Sequence, residues 1–447
     1  MPSYFIITFG CQMNKSDSER IAAVFESLGF AQARTAESAD FVVVNACAVR
    51  QTAVDRAWGL VRNKKTRKQK NKKLKKQKIK NQKFILTGCI LDKDKVKFEK
   101  KFDFIFNIKE LGKLAGFLRG NAESEFADYF AIKPKITNKF QAFVPIMTGC
   151  DNYCSYCVVP YVRGREASRP VKDVLNEIKR LVKAGGKEIL ILGQNVNSYN
   201  PNDEHIPRRS SGRVFCSDNP FKNKFAKLLW EANQIDGINR IIFAASHPKD
   251  MNHDIISALA LPKMMNYLHL ALQSGDDEVL AKMNRQYTTD DYYAIIKKVR
   301  KIKPEIAIGT DLIVGFPGET KRQFENTLKF YDKIKFDIAF ISKYSPRAGT
   351  ASAKMEDEVP QAEKQRRWRE VQNLMEKMVL KLNRKYVGKT MEVLIDGIFK
   401  EKDGRIYSEG NSREMKRVRI YSKLKAGDIV NVEIIEAKEW ILIGKIV

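Results

Sequence analysis

Short apolar runs alternate with segments whose apolar residues recur at helical spacing, and that alternation predicts the elements of the first 375 residues. Tyr4–Phe9 (YFIITF) is continuously apolar, as a parallel strand buried on both faces is. Gly10 and Cys11 end it. A helix follows, with Ser16 and Glu19 in the S-x-x-E capping pattern and Ile21, Val24, Phe25 and Leu28 on one face. Gly29 stops it. Phe41–Val44 and Phe84–Leu86 predict two more strands, which run out into Asn45-Ala46-Cys47 and Thr87-Gly88-Cys89. A strand at Phe104–Ile108 and a helix from Leu111 close a first domain, residues 1–120. Asn121–Asn138, with Pro134 inside it, reads as a linker.

Six further strand-like runs follow, most of them separated by helical patterns. They are Phe143–Met147, Lys187–Gly193, Arg240–Ala245, Tyr267–Gln273, Ala307–Val314 and Asp337–Ser342. Repeated βα units predict a barrel or partial barrel over residues 136–375. Polar residues gather where these strands end: Gln194 and Asn195, Ser246 and His247, Gln273 and Ser274, Lys343 and Tyr344, with Asp311 inside its strand. Singly each reads as a helix cap or a core hydrogen bond. On one barrel face they make a candidate site.

After a helix at Gln361–Val387 with a basic run (Lys364 to Arg369), the pattern changes. Met391–Ile395, Arg405–Ser408, Lys416–Ile420, Ile429–Ala437 and Ile441–Ile446 are short strands with Gly404, Gly410 and Gly427 in the turns. They predict a small closed all-β barrel over 384–447. Lys416, Arg417, Arg419 and Lys423 would give it a basic face suited to RNA; the alternative is a structural cap.

Charge narrows the partners. The 447 residues carry 81 basic and 53 acidic side chains, a net +28, which favours a polyanion, nucleic acid first. Lys64–Lys83 alone holds twelve Lys or Arg and no acid. It reads either as a solvated loop extension or as a phosphate tether without sequence preference. No window approaches the ~20 apolar residues of a membrane span, and the start has no basic leader. The expectation is a soluble protein of a reducing cytoplasm. Pro201–Lys224 is a polar insertion, and its Cys216 is assigned no role.

The other six cysteines fall into two sets of three. Cys150, Cys154 and Cys157 stand in a CxxxCxxC spacing on the loop leaving a predicted strand. Thiolates hold iron–sulfur clusters, and three of them leave one iron of a four-iron cubane open for chemistry. A zinc knot or buried apolar cysteines are the alternatives, and four histidines in the chain leave little for a zinc site. Cys11, Cys47 and Cys89 each follow a predicted parallel strand closely. The carboxyl ends of such strands share one edge, so the three would meet at one crevice. Three buried strand cysteines are the alternative there.

With an aromatic residue, Tyr156, before the last cysteine, the CxxxCxxC loop resembles the radical S-adenosylmethionine (SAM) superfamily. With both triplets in place the chain resembles its methylthiotransferase family over nearly its whole length. The motifs are Thr8–Asn14 (TFGCQMN), Asn45–Arg50 (NACAVR), Cys154–Pro170 (CSYCVVPYVRGREASRP), Gly193–Tyr199 (GQNVNSY), Ser246–Pro248, Leu272–Met283 and Thr310–Thr320, with Gly410–Arg419 compatible. The Gln12-Met13-Asn14 continuation resembles the branch that makes 2-methylthio-N(6)-isopentenyladenosine in tRNA, rather than the branches acting on threonylcarbamoyladenosine or on a ribosomal protein. Three departures are visible: the Lys64–Lys83 run, the Pro201–Lys224 insertion, and Ala271 where the family pattern has proline.

The resemblance implies an α/β chain: an N-terminal flavodoxin-like open parallel sheet, a central radical SAM partial (β/α)6 barrel and a C-terminal TRAM barrel. It implies two [4Fe–4S] clusters, one on Cys150, Cys154 and Cys157 that binds SAM and an auxiliary one on Cys11, Cys47 and Cys89. SAM serves as radical source and as methyl donor. Tyr156, Gln194, Ser246, Gln273, Ser274 and Asp311 are the expected SAM contacts. Arg163, Arg165 and Arg169 are candidates for substrate phosphate or the SAM carboxylate, with ordinary salt bridges as the alternative. The implied partners are a tRNA carrying isopentenyladenosine, a one-electron reductant such as flavodoxin or ferredoxin, and a sulfur source, with the protein a monomer. A methylthiotransferase for another substrate, and an RNA-binding redox sensor that never cleaves SAM, are the competing readings.

Overall fold

Strand β1 (Ser3–Thr8) pairs in parallel with β2 (Ala31–Gln32) and β3 (Phe41–Cys47). β3 pairs with β4 (Lys83–Cys89), and β4 with β5 (Phe104–Ile105), so the sheet order is 2-1-3-4-5. This is the flavodoxin-like winding, whose order reverses between β1 and β3. The computed structural model describes residues 1–47, 51–62, 82–120, 129–202 and 218–447. The basic run up to Asn81 and the insertion across 203–217, with Cys216, lie outside the described residues.

Two local expectations are corrected here. Helix α1 spans Gln12–Ser27, so Ser16 and Glu19 lie inside it and are no capping box. Its N-cap is Cys11, and Asn14 is the reciprocal partner: the Asn14 side chain accepts from the Cys11 backbone N–H at 3.3 Å. Buried Ser16 accepts from Arg20 instead of capping the helix. The second correction concerns the linker. Its described part is a strap on the first body. Tyr129 and Ile132 are buried in that body's core, Lys135 donates to Glu26, and Thr137 bonds Glu19.

Among the described residues the central body has six parallel strands. β6 (Gln141–Pro145), β9 (Glu188–Leu192) and β10 (Arg240–Phe243) form one sheet in the order 10-9-6; β11 (Tyr267–His269), β12 (Ala307–Val314) and β13 (Ile338–Lys343) form another in the order 11-12-13. Single parallel bridges, Ile241 to Met264 and Ser246 to Leu270, join their edges into one open barrel. Val144, Ile189, Ile241, Leu268, Ile308 and Leu312 bury against the outer helices, which is what holds the wall together. A small antiparallel pair, β7 (Met147–Thr148) and β8 (Ala167–Ser168), brackets the CxxxCxxC loop.

β14 (Thr390–Lys400), β15 (Ile406–Ser412), β16 (Arg417–Ile420), β17 (Ile429–Ala437) and β18 (Leu442–Ile446) close a barrel in the order 14-15-16-18-17. It docks on the amino-terminal ends of the central strands, opposite the CxxxCxxC loop. Arg240, fully buried at the start of β10, donates to the Glu392 side chain (2.8 Å) and to the Asn411 carbonyl (2.8 Å). Lys187, just before β9, donates to the Gly427 carbonyl, and Asp337, just before β13, pairs with Lys416 at 2.9 Å. The expected basic face is therefore largely neutralised. Lys416 is buried in that contact, while Arg417 and Arg419 pair with Asp396, Glu401 and Glu409. No helix among the described residues is long and apolar enough to cross a membrane.

Candidate functional site

Cys11, Cys47 and Cys89 gather at the point where the order of the first sheet reverses. Cys47 and Cys89 are the last residues of β3 and β4 and stand opposite each other in register. Their thiols hydrogen-bond, which with burial pushes the Cys89 thiol well above its ordinary pKa. Cys11 caps α1 and is exposed. The backbone has to approach closely here. Gly88 sits at φ +106°, and a Cβ there would meet the Ala46 carbonyl oxygen at 2.2 Å. Two asparagines lock the edge: Asn14 donates to Asn45 Oδ1 (3.0 Å), and Asn45 donates to the Asn14 carbonyl (2.8 Å). Both are fully buried.

The CxxxCxxC loop leaves β7 through Gly149 at φ +81°, where a Cβ would meet the Arg165 carbonyl oxygen at 1.9 Å. Ser155 pins the loop to the far side of the barrel mouth, donating its N–H to Met283 and its hydroxyl to Lys282. Asn284 donates to the Tyr153 carbonyl. Burial pushes the Cys150 thiol up to about 11 and the Cys157 thiol up to about 12. Both are neutral near pH 7 and gain charge only by exchanging a proton for a metal. Buried Arg285 lies against Cys154, with Nη1 3.5 Å from Sγ. Its Nη2 donates to the Ala271 carbonyl at 2.8 Å. A proline at 271 would offer the same carbonyl, so that departure costs no bond.

The strand ends hold unmet hydrogen-bonding capacity. Gln194 Oε1, Asn195 Oδ1, Ser246 Oγ and His247 Nε2 are all buried without a partner among the described residues. Each such atom costs about 1–3 kcal/mol unless something fills the gap. Ala245 (φ 69°) and Gln273 (φ 73°) hold left-handed conformations beside them. Tyr156 packs on Val279, Met283, Phe316 and Tyr344. Ser274 is fully buried, its hydroxyl against Thr327. Asp311 shares a hydrogen bond with His269 Nε2 at 2.8 Å and is half-exposed. The buried oxygens of Gln194, Asn195 and Ser246 fit the ammonium and hydroxyl donors of SAM, His247 Nε2–H fits an acceptor because Nδ1 already accepts from the Lys249 N–H, and two triplets of thiols with a buried guanidinium at each fit thiolate-bound clusters. No group of three His, Cys, Asp or Glu among the described residues closes on a single metal ion. A cubane has four irons, and its cysteines need not converge on one.

Of the three candidate arginines, two make ordinary ion pairs: Arg165 with Asp151 (3.0 Å) and buried Arg169 with Glu177 (2.8 Å). Arg163 does something sequence reasoning missed. It ends the short helix Val159–Arg163 behind the CxxxCxxC loop, and its Nε donates to Cys89 Sγ at 3.0 Å. Asn14, Asn45 and Arg285 were missed too. The first two stand inside quoted motifs, and that is their only sequence signal.

Three family models match: the radical SAM superfamily over residues 144–331, the uncharacterized protein family UPF0004 over 3–107, and the TRAM domain over 384–447. The chain is 39% identical over 461 residues to a tRNA-2-methylthio-N(6)-dimethylallyladenosine synthase of Clostridium novyi (strain NT), covering 99% of this chain and 96% of that one. It is 38% identical to the synthase of the same name from Caldicellulosiruptor saccharolyticus, covering 100% and 92%. Among solved structures it is similar in fold to the radical SAM methyltransferase TsrM from Kitasatospora setae, with a TM-score of 0.51 at 12% identity over 79% of this chain and 77% of that one.

Proposed function

The chain belongs to the radical SAM methylthiotransferases, and from that premise we propose that it adds a methylthio group to carbon 2 of N(6)-isopentenyladenosine next to the anticodon of tRNA, giving 2-methylthio-N(6)-isopentenyladenosine. The observation that carries the reading is a direct contact between the elements that bear the two cysteine triplets. Arg163 joins the loop of Cys150, Cys154 and Cys157 to Cys89 of the other set. When bound, a cluster and SAM at the first triplet supply a 5′-deoxyadenosyl radical, a cluster at the second supplies sulfur, and a further SAM supplies the methyl group.

The residues of the chain then have distinct tasks. Cys150, Cys154 and Cys157 hold the radical-forming cluster, and Cys11, Cys47 and Cys89 the auxiliary one. Gln194, Asn195 and Ser246 turn buried acceptors toward SAM and His247 a buried donor, and Tyr156 packs beside it. Gln273, Ser274 and Asp311 complete the wall of the site. Half-exposed Asp311 lines the barrel next to exposed Phe340, where an unstacked base has room. A carbon-bound hydrogen on adenine is not acidic, so positioning it toward a radical source is the protein's main contribution. The proposed setting is the cytoplasm, as a monomer, with a flavodoxin or ferredoxin as reductant and a separate sulfur source.

The test is mass spectrometry of tRNA nucleosides from cells lacking the protein. Loss of the methylthio group with the isopentenyl group retained is expected. An unchanged methylthio level, or loss from threonylcarbamoyladenosine instead, overturns the substrate.

A further inference from the structure

We propose that Arg163 positions the centre held by Cys11, Cys47 and Cys89 and sets its reduction potential, reaching it from the loop that carries the other three cysteines. The proposal rests on the reading of those cysteines as cluster ligands.

The side chain is almost fully buried, at 3% exposure, and divides its donors between two partners. Nε points at Cys89 Sγ (3.0 Å), while Nη2 pairs with Asp17 Oδ2 (2.6 Å). Asp17, itself fully buried, takes the Tyr129 hydroxyl on its other oxygen at 2.5 Å. Arg20 lies over the Tyr129 ring at 5.2 Å and bonds both oxygens of Glu177 at 3.1 Å. Arg169 adds a bond to Glu177 at 2.8 Å. These residues come from the first sheet body, the strap and the central barrel in alternation, so the network crosses the interface repeatedly. Every charge in the network has an opposite partner, while Arg20 Nε and Arg169 Nε are buried without a hydrogen-bond partner among the described residues.

An ion pair with Asp17 would hold the bodies together without the contact to sulfur. The contact to sulfur is the feature that an interface role leaves unexplained. Hydrogen bonds to cluster sulfurs and net charge set cluster potentials. A guanidinium at a cysteine sulfur stabilises the more negative, reduced state and so raises the potential. Arg347 acts in the same sense on Cys47 through charge, and Asp17, one side chain further out, acts against it. Arg285 stands in the same relation to Cys154 of the other triplet and gives an internal comparison.

The experiment is a redox titration of the reconstituted full-length enzyme followed by electron paramagnetic resonance. Each set of three cysteines leaves one iron open, so the two signals are told apart by loss: the variant with Cys150→Ala, Cys154→Ala and Cys157→Ala keeps only the centre on Cys11, Cys47 and Cys89 and assigns its signal. With Arg163→Gln the centre on Cys11, Cys47 and Cys89 should shift to a more negative potential while the one on Cys150, Cys154 and Cys157 stays. Arg163→Lys, which keeps the charge but cannot reach both partners, should shift it less. Asp17→Asn, which removes the opposing charge, should shift it the other way. Arg285→Gln should move the centre on Cys150, Cys154 and Cys157 instead. Should Arg163→Gln fail to assemble the centre, Arg163→Lys and Asp17→Asn carry the test. Unmoved potentials in the variants that assemble, or equal shifts of both centres, overturn the proposal. A parent enzyme that reconstitutes with only one centre, about four iron per chain, overturns the underlying assignment of Cys11, Cys47 and Cys89 instead.

Discussion

His247 is held neutral in the folded protein: burial, then the charges of Arg285 and Lys249, depress its pKa to about 2. A depressed group favours the fold above its unfolded pKa of about 6.5 and withdraws that support as pH falls toward the folded value. The apo fold should therefore lose about 1.4 kcal/mol per pH unit below pH 6.5 from this residue alone. Urea midpoints at pH 7, 6 and 5 check this, and His247→Asn should flatten the dependence. An equal slope in the variant assigns the acid sensitivity elsewhere. The thiols run the opposite way. Cys150 and Cys157, raised to about 11 and about 12, weaken the apo fold as pH climbs from about 9 toward those values. Their alkylation at pH 8 should be roughly 100-fold slower than that of a free thiol. The six cysteines are legible because spacing and strand-end position are properties of the chain itself. Arg163 and Arg285 are not. Their sulfur partners lie 74 and 131 residues away, and only the packing of separate elements brings them together.

Elements explain why the two triplets should be separable by mutation. Cys11, Cys47 and Cys89 stand at the ends of β1, β3 and β4, whereas the other three sit on one loop of a different body. Changing the first three to Ala should leave SAM cleavage to 5′-deoxyadenosine intact and abolish methylthiolation. Loss of SAM cleavage in a folded variant would break this division. Changing the other three should lower iron from about eight to about four per chain. The strands are readable from apolar runs, since a buried strand has no alternative use for them. The start of α1 is misread because S-x-x-E matches a capping box wherever it falls, while the actual cap uses a cysteine and an asparagine. The strap is misread because Tyr129, Phe130 and Ile132 follow neither a strand nor a helix period, and their packing depends on α1 being there.

At the scale of the whole molecule, the small barrel sits at the floor of the central one, away from the cysteine loops, and this decides how its role can be tested. Arg240 is fully buried between Glu188 and Glu392, so Arg240→Met leaves the buried Glu188 carboxylate without its cation and should cost about 3–5 kcal/mol, while partly exposed Glu392 keeps Arg413. Deleting 384–447 would do the same and more, confounding stability with RNA binding. Surface substitutions avoid this. Phe399, Tyr407 and Tyr421 form a ladder across β14, β15 and the end of β16, with ring centres 5.7 and 6.3 Å apart, and Arg419 lies over Tyr407 at 4.0 Å. Phe399 and Tyr421 are exposed. With the neighbouring arginines tied to acids, this surface has π-faces to offer rather than net charge. Phe399→Ala with Tyr421→Ala should weaken tRNA binding by about 1–3 kcal/mol per base stacked. The weakening should be the same at every salt concentration, because stacking releases no counterions. Deleting residues 64–81 should instead reduce the slope of log K against log salt by about 0.7–0.9 for each phosphate that the run neutralises, and leave turnover of bound tRNA unchanged. Titrations of the parent and both variants at several salt concentrations separate the two. Unchanged affinity in the aromatic variant would make the barrel a structural cap, for which the Arg240 contact is sufficient reason. An unchanged salt slope in the deletion would leave the lysine run a solvated loop.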